Sequence, residues 1–81
     1  MKFKTVKYGS AGTEVHILQT AFRMMQYVGA DGKPIEIDGI CGNNTVHAIN
    51  EFQKRQEVYG YSCGNGDSSF GEKCWARLLG V

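Results

Sequence analysis

The sequence predicts an all-α fold, a compact three-helix bundle whose helices are joined by glycine-turn loops. Three observations lead there. Apolar residues recur at helical spacing in three separate stretches. A glycine-bearing turn precedes each stretch. One unit of turn plus helix start is written twice: Asp38-Gly39-Ile40-Cys41-Gly42-Asn43-Asn44-Thr45-Val46-His47-Ala48-Ile49 returns 29 positions later as Asp67-Ser68-Ser69-Phe70-Gly71-Glu72-Lys73-Cys74-Trp75-Ala76-Arg77-Leu78. Such an internal repeat signals one supersecondary unit used more than once. A fainter third echo begins at Gly12-Thr13-Glu14-Val15.

The first helix is expected from about Gly12 to Tyr27, because Val15, Leu18, Ala21, Phe22 and Met25 fall on one helical face. Ser10 or Thr13 would cap its first amides and Gly29 would end it. Gly29-Ala30-Asp31-Gly32-Lys33-Pro34 is a turn-rich loop, and Ile35-Glu36-Ile37 alternates as a short extended piece. The second helix is expected from Asn43 to Val58, with Thr45, Ala48, Ile49 and Phe52 inward and Asn50, Glu51, Lys54 and Arg55 toward water. Tyr59-Gly60-Tyr61-Ser62-Cys63-Gly64-Asn65-Gly66 is the longest irregular stretch. The third helix is expected from Glu72 to Leu79, with Cys74, Trp75, Leu78 and Leu79 apolar and Gly80 as its stop. Gly42 and Gly71, ahead of the second and third helices, read as scaffold that needs positive φ or close chain approach.

At 81 residues the chain has room for one domain, residues 1–81, in which almost every large apolar side chain is needed inside. Its 42% apolar content excludes a disordered chain, and no run is long enough to span a membrane. A net charge of +1 with intermixed signs argues against a nucleic-acid partner. Lys2, Lys4 and Lys7 read as a solvated arm. The opening residues lack the apolar run of a signal peptide, so export is expected to come from a longer protein or from lysis. Three cysteines, Cys41, Cys63 and Cys74, do not make a complete disulfide framework. They read as buried small side chains, and their spacing leaves open a single bridge from Cys63 to Cys74 or Cys41.

The residues also carry a family pattern in three ordered blocks. These are Gly9-Ser10-x-Gly12-x-x-Val15-x-x-Leu18-Gln19, Ile37-Asp38-Gly39-Ile40-Cys41-Gly42-x-x-Thr45-x-x-Ala48-Ile49-x-x-Phe52-Gln53, and Phe70-Gly71-x-x-Cys74-Trp75-x-x-Leu78-Leu79. Together they resemble the peptidoglycan-binding domain of the type-1 class, from about Val6 to Leu79, with the Leu-Gln and Phe-Gln pairs as the most distinctive marks. The resemblance implies a three-helix module that tethers amidases, lytic enzymes and phage lysins to peptidoglycan. The chain departs from the pattern at Asp67-Ser68, where Asp-Gly is usual, at Cys74, where threonine is common, and in a longer, tyrosine-rich stretch from Tyr59 to Gly66.

Seven residues are candidate ligand contacts. Tyr27, Tyr59, Tyr61 and Trp75 offer flat apolar faces suited to sugar rings, although Trp75 also reads as the core plug of the third helix. Asp38 and Asp67 read first as Asx turns that fix a loop, with the amine of a peptide stem as the functional alternative. Asn43 closes the Asp38–Asn44 loop at a helix start; that loop and Tyr59–Phe70, if side by side, would offer free amides to carboxylates. Gln19 and Gln53 border the apolar faces and would bond either the surrounding loops or a ligand.

No metal and no cofactor are expected, since His16 and His47 stand alone and no cysteines have C-x-x-C spacing. No P-loop or dinucleotide glycine pattern and no activated cysteine suggest an enzyme. What the resemblance implies is a monomeric, non-catalytic wall-binding module acting outside the cell, with peptidoglycan and a linked or separate hydrolase as partners. The alternatives are a protein-docking adaptor and a small helical DNA-binding domain.

Overall fold

The computed structural model describes residues 3–64 and 67–80. Lys2 of the lysine cluster and Asn65 and Gly66 of the long loop lie outside the described residues. Three helices follow in order, α1 (Thr13–Met24), α2 (Asn43–Val58) and α3 (Glu72–Leu79), and no named strand occurs among the described residues. The chain is all-α.

The ends of α2 and α3 agree with the sequence periodicity, but α1 stops at Met24 rather than Tyr27. Gln26 takes the left-handed conformation, φ 66°. The Gln26 N–H then reaches the carbonyl of Arg23 at 3.1 Å, and the Tyr27 N–H reaches that of Phe22 at 2.9 Å. These are the paired bonds of a Schellman motif, and the Tyr27 ring completes it by lying 5.3 Å from the Phe22 ring. Gly29 is thus not the stop. The helix ends on a glutamine in a position usually given to glycine, and Met25 lies outside the helix, 41% exposed. At the end of α2 the left-handed position falls on a glycine: Gly60 has φ 88°, and the Gly60 and Tyr61 amides reach the carbonyls of Glu57 and Gln56.

The amino-terminal caps differ from expectation. Gly12, Gly42 and Gly71 occupy the cap positions, and no helix has a side-chain cap bond. The Ser10 hydroxyl accepts instead from the Lys7 amide at 3.1 Å. Gly42 and Gly71 have φ of −99° and −94°, ordinary extended backbone. A side chain at Gly42 would meet nothing within 4 Å, so neither of the expected reasons for glycine holds there.

The segment before α1 is stitched in place, while the Lys4 and Lys7 side chains remain exposed. Val6 and Phe70 exchange both backbone bonds, and Gly9, Ser10 and Gly12 bond the backbone of Cys41 and Gly39. The Ile35–Ile37 segment forms no strand; the antiparallel bridge nearby is Val28 to Pro34, and Ile35 is buried.

The core takes Val15, Leu18 and Phe22 from α1, Ala48, Ile49 and Phe52 from α2, and Cys74 and Trp75 from α3. Phe70 lies at its centre, with ring centroids 5.8 Å from Phe22, 5.3 Å from Phe52 and 5.0 Å from Trp75. Leu79, expected inward, is 47% exposed.

Candidate functional site

Two fully buried glutamines organise the loops that carry the candidate residues. Gln19 Nε2 donates toward Asp38 Oδ1 at 3.0 Å, the Ile40 carbonyl at 2.9 Å and Thr45 Oγ1 at 3.0 Å. Its Oε1 accepts from the Gly39 amide at 2.9 Å. Gln53 Nε2 lies 3.1 Å from Asp67 Oδ1, 2.7 Å from the Ser69 carbonyl and 3.3 Å from Cys74 Sγ, with the Cys63 carbonyl at 3.2 Å as a further acceptor. A primary amide has two hydrogens, so each Nε2 shares them among crowded acceptors.

Each aspartate also accepts from the amide two residues on, Asp38 from Ile40 at 3.0 Å and Asp67 from Ser69 at 2.9 Å. That is the Asx turn. The residue between takes positive φ, 75° at Gly39 and 68° at Ser68. Gly39 meets this demand without cost and brings its α-carbon beneath His16: a Cβ there would lie 2.7 Å from the imidazole Cδ2. Ser68 bears the strain of the left-handed region and is held by Asn50, whose Oδ1 accepts from the Ser68 amide at 2.9 Å. Asn50, expected to face water, is therefore half-buried and committed to the loop.

The Ile40 amide, and then the Gln19 side chain, hold the Asp38 carboxyl below its ordinary value of 3.8. The stabilising contribution of this group is present at neutral pH and is lost as the pH falls through its lowered folded value. Asp38→Asn is expected to lower the urea midpoint at pH 7, with the gap to wild type closing below about pH 4. Urea titrations at pH 7 and pH 3 check this. A gap of equal size at both would mean that the charge on Asp38 contributes nothing.

The structure distributes the seven candidates instead of gathering them. Asp38 and Asn43 line a hollow of about 130 Å³ at the start of α2. Asp67 lines a separate one of about 510 Å³ at the start of α3. Among the described residues the two hollows share no lining residue. Tyr27 is buried against Phe22 and Phe52 with the Arg55 guanidinium 4.9 Å from its ring centre; burial pushes its phenol up despite that cation. Its edge borders a third hollow, about 320 Å³, with His47, Glu51 and Arg55. Trp75 is also buried: it stacks on Phe3 at 4.5 Å, and its indole N–H donates to the Lys4 carbonyl at 3.1 Å.

Tyr59 and Tyr61 remain open, at 67% and 47% exposure. The Arg77 guanidinium lies 3.5 Å from the Tyr61 ring centre, and its Nε donates to Gln56 Oε1 at 3.2 Å. Arg77 was absent from the sequence-based candidates. Its signal is faint, a basic residue in the last turn of α3 whose contact with the end of α2 depends on tertiary packing.

All three cysteines are buried and free. Among the described residues no group of three or more His, Cys, Asp or Glu side chains is placed to hold a metal ion, and no helix is long and apolar enough to cross a membrane. In comparison with known proteins, no family model matches this chain. No solved structure matches it either.

Proposed function

We propose that the chain is a non-catalytic peptidoglycan-binding module that holds an attached or partner wall hydrolase, such as an amidase or phage-type lysin, against its substrate. The observation that carries this reading is the behaviour of its most distinctive sequence marks. The glutamines of the Leu18-Gln19 and Phe52-Gln53 pairs are both buried, and each bonds the aspartate, the carbonyl two residues later and the Thr45 or Cys74 side chain of one repeat copy. On this reading the two copies are one structural unit used twice, and the resemblance reaches into the hydrogen bonding of the core.

The binding surface we assign is Tyr59 and Tyr61 with Arg77. An open phenol ring offers apolar contact to the C–H face of a sugar, and the guanidinium over Tyr61 adds a fixed cation for a stem-peptide carboxylate. Weak single contacts suffice because the wall is a polymer of repeated sites and tethering raises local concentration. Tyr27 and Trp75 serve this surface only by holding the core beneath it. The exposure of Val58, at 82%, beside Tyr59 favours one second reading, a docking surface for a partner protein.

Co-sedimentation with insoluble peptidoglycan sacculi at low and moderate salt tests the proposal. The chain is expected to pellet at both, with Tyr59→Ala/Tyr61→Ala weakening binding about fivefold or more while the melting temperature stays near that of wild type. A folded wild-type chain that stays in the supernatant would refute wall binding and turn attention to a protein partner. Binding that collapses with modest salt would instead indicate a polyanion.

A further inference from the structure

We propose that Cys63 and Cys74 are a thiol–disulfide pair, a modification site that closes to an intramolecular bridge on exposure to a small-molecule disulfide oxidant. The inference stands apart from wall binding and rests on different observations. Cys74 Sγ donates to the Cys63 backbone carbonyl at 2.6 Å, which sets the third-helix thiol directly against the Cys63 residue. Gln53 fixes both segments, with Nε2 3.2 Å from the Cys63 carbonyl and 3.3 Å from Cys74 Sγ. Both cysteines line the 510 Å³ hollow at the start of α3, which gives a reagent a route to otherwise buried sulfur. Cys41 does not line it.

A purely structural role does not account for sulfur here. In the other network the same place is filled by Thr45, whose hydroxyl receives the Gln19 amide at 3.0 Å. A thiol is a weaker acceptor than a hydroxyl, so Cys74 is the poorer choice for bonding Gln53. Cys63 has no counterpart among the bonds of Gln19. The second network thus gives up a better acceptor and gains a second sulfur beside the first.

The chemistry balances with oxidised glutathione as the oxidant. One cysteine thiolate attacks the glutathione disulfide, forming a mixed disulfide and releasing one glutathione thiolate. The other cysteine then attacks the mixed disulfide, the Cys63–Cys74 bond forms, and a second glutathione leaves. Two protein thiols are oxidised, one glutathione disulfide is reduced to two thiols, and no net proton is exchanged. Burial, with the neighbouring Cys74 thiol, pushes Cys63 up to about 12, so its thiolate is scarce at neutral pH and closure is faster in mild alkali.

The test treats the reduced full chain with oxidised glutathione and follows it by intact mass, thiol alkylation and peptide mapping, beside a Cys74→Thr variant and a urea-unfolded control. The expected result is a monomer lighter by two hydrogens, with peptides 63 and 74 joined and Cys41 still alkylated. Its melting temperature should be about 5 °C or more above that of the reduced form. Cys74→Thr, which installs the side chain used at position 45, should keep the reduced melting temperature and form no internal bridge. Three free thiols in the folded chain under conditions that oxidise the unfolded control would overturn the proposal. So would a bridge involving Cys41, or disulfide found only between chains.

Discussion

Phe70→Ala is expected to cost about 4 kcal/mol of folding stability. An 81-residue chain has roughly 4 to 12 kcal/mol to lose, so much of the population would unfold at the weaker end of that range. The magnitude follows from where the ring sits. Phe70 is fully buried and contacts Phe22 of α1, Phe52 of α2 and Trp75 of α3, so removing it separates all three helices at one point. Two of those rings, Phe22 and Phe52, also contact each other at 6.1 Å, which limits how far they can collapse into the cavity. Phe70→Leu keeps most of the volume and is expected to cost about 1.5 kcal/mol or less. Neither change removes the backbone groups that bridge to Val6, so the difference between them isolates side-chain volume. Equilibrium urea unfolding followed by far-UV circular dichroism gives both numbers. A cost under about 2 kcal/mol for Phe70→Ala would mean that the helices repack without their shared centre.

How much of this was legible depended on the range of the interaction. The bounds of α2 and α3 could be read because apolar periodicity and the flanking glycines act within a few residues. The end of α1 could not, because Gln26 adopts a backbone state for which glutamine gives no signal, and Tyr27 is drawn inward by Phe22 and Phe52. Glycine was misassigned within the turns for a related reason. Positive φ falls on the residue after each aspartate, Gly39 and Ser68, rather than on the helix-capping Gly42 and Gly71, and a serine in that position hides the requirement. For the candidate site, the sequence indicates which residue types suit a glycan but not which are covered. The position of Trp75 on the apolar side of the third helix already reads as a core plug, while Tyr59 on a loop reads either way. Only packing buries the first beneath Phe3 and leaves the second open.

The glutamines give the second large effect, and they separate hydrogen bonding from bulk. Gln19→Leu retains the volume of the side chain but removes one acceptor and both donors from a fully buried position. The Gly39 amide then loses its bond to Oε1, and Asp38, the Ile40 carbonyl and Thr45 lose theirs to Nε2. Solvent reaches the exposed Asp38 and Ile40, but Gly39 and Thr45 are buried, and each buried polar group left unpaired costs about 1 to 3 kcal/mol. The expected total is about 3 kcal/mol at neutral pH, measured by urea unfolding. Gln19→Glu sharpens the assignment because its shape is closer still. It places a second carboxylate against Asp38 Oδ1, so its folded pKa is raised by both burial and charge. A raised folded pKa in an acid means stability lost at neutral pH and regained as the pH falls toward the unfolded value near 4.3. Gln19→Leu lacks that introduced carboxylate, so its deficit should not show the same recovery. A Gln19→Leu cost under about 1 kcal/mol, or a Gln19→Glu deficit indifferent to pH, would mean that the first turn is held by backbone alone. In that case the hydrogen bonds of Gln19 could no longer be offered in support of the proposed wall-binding reading.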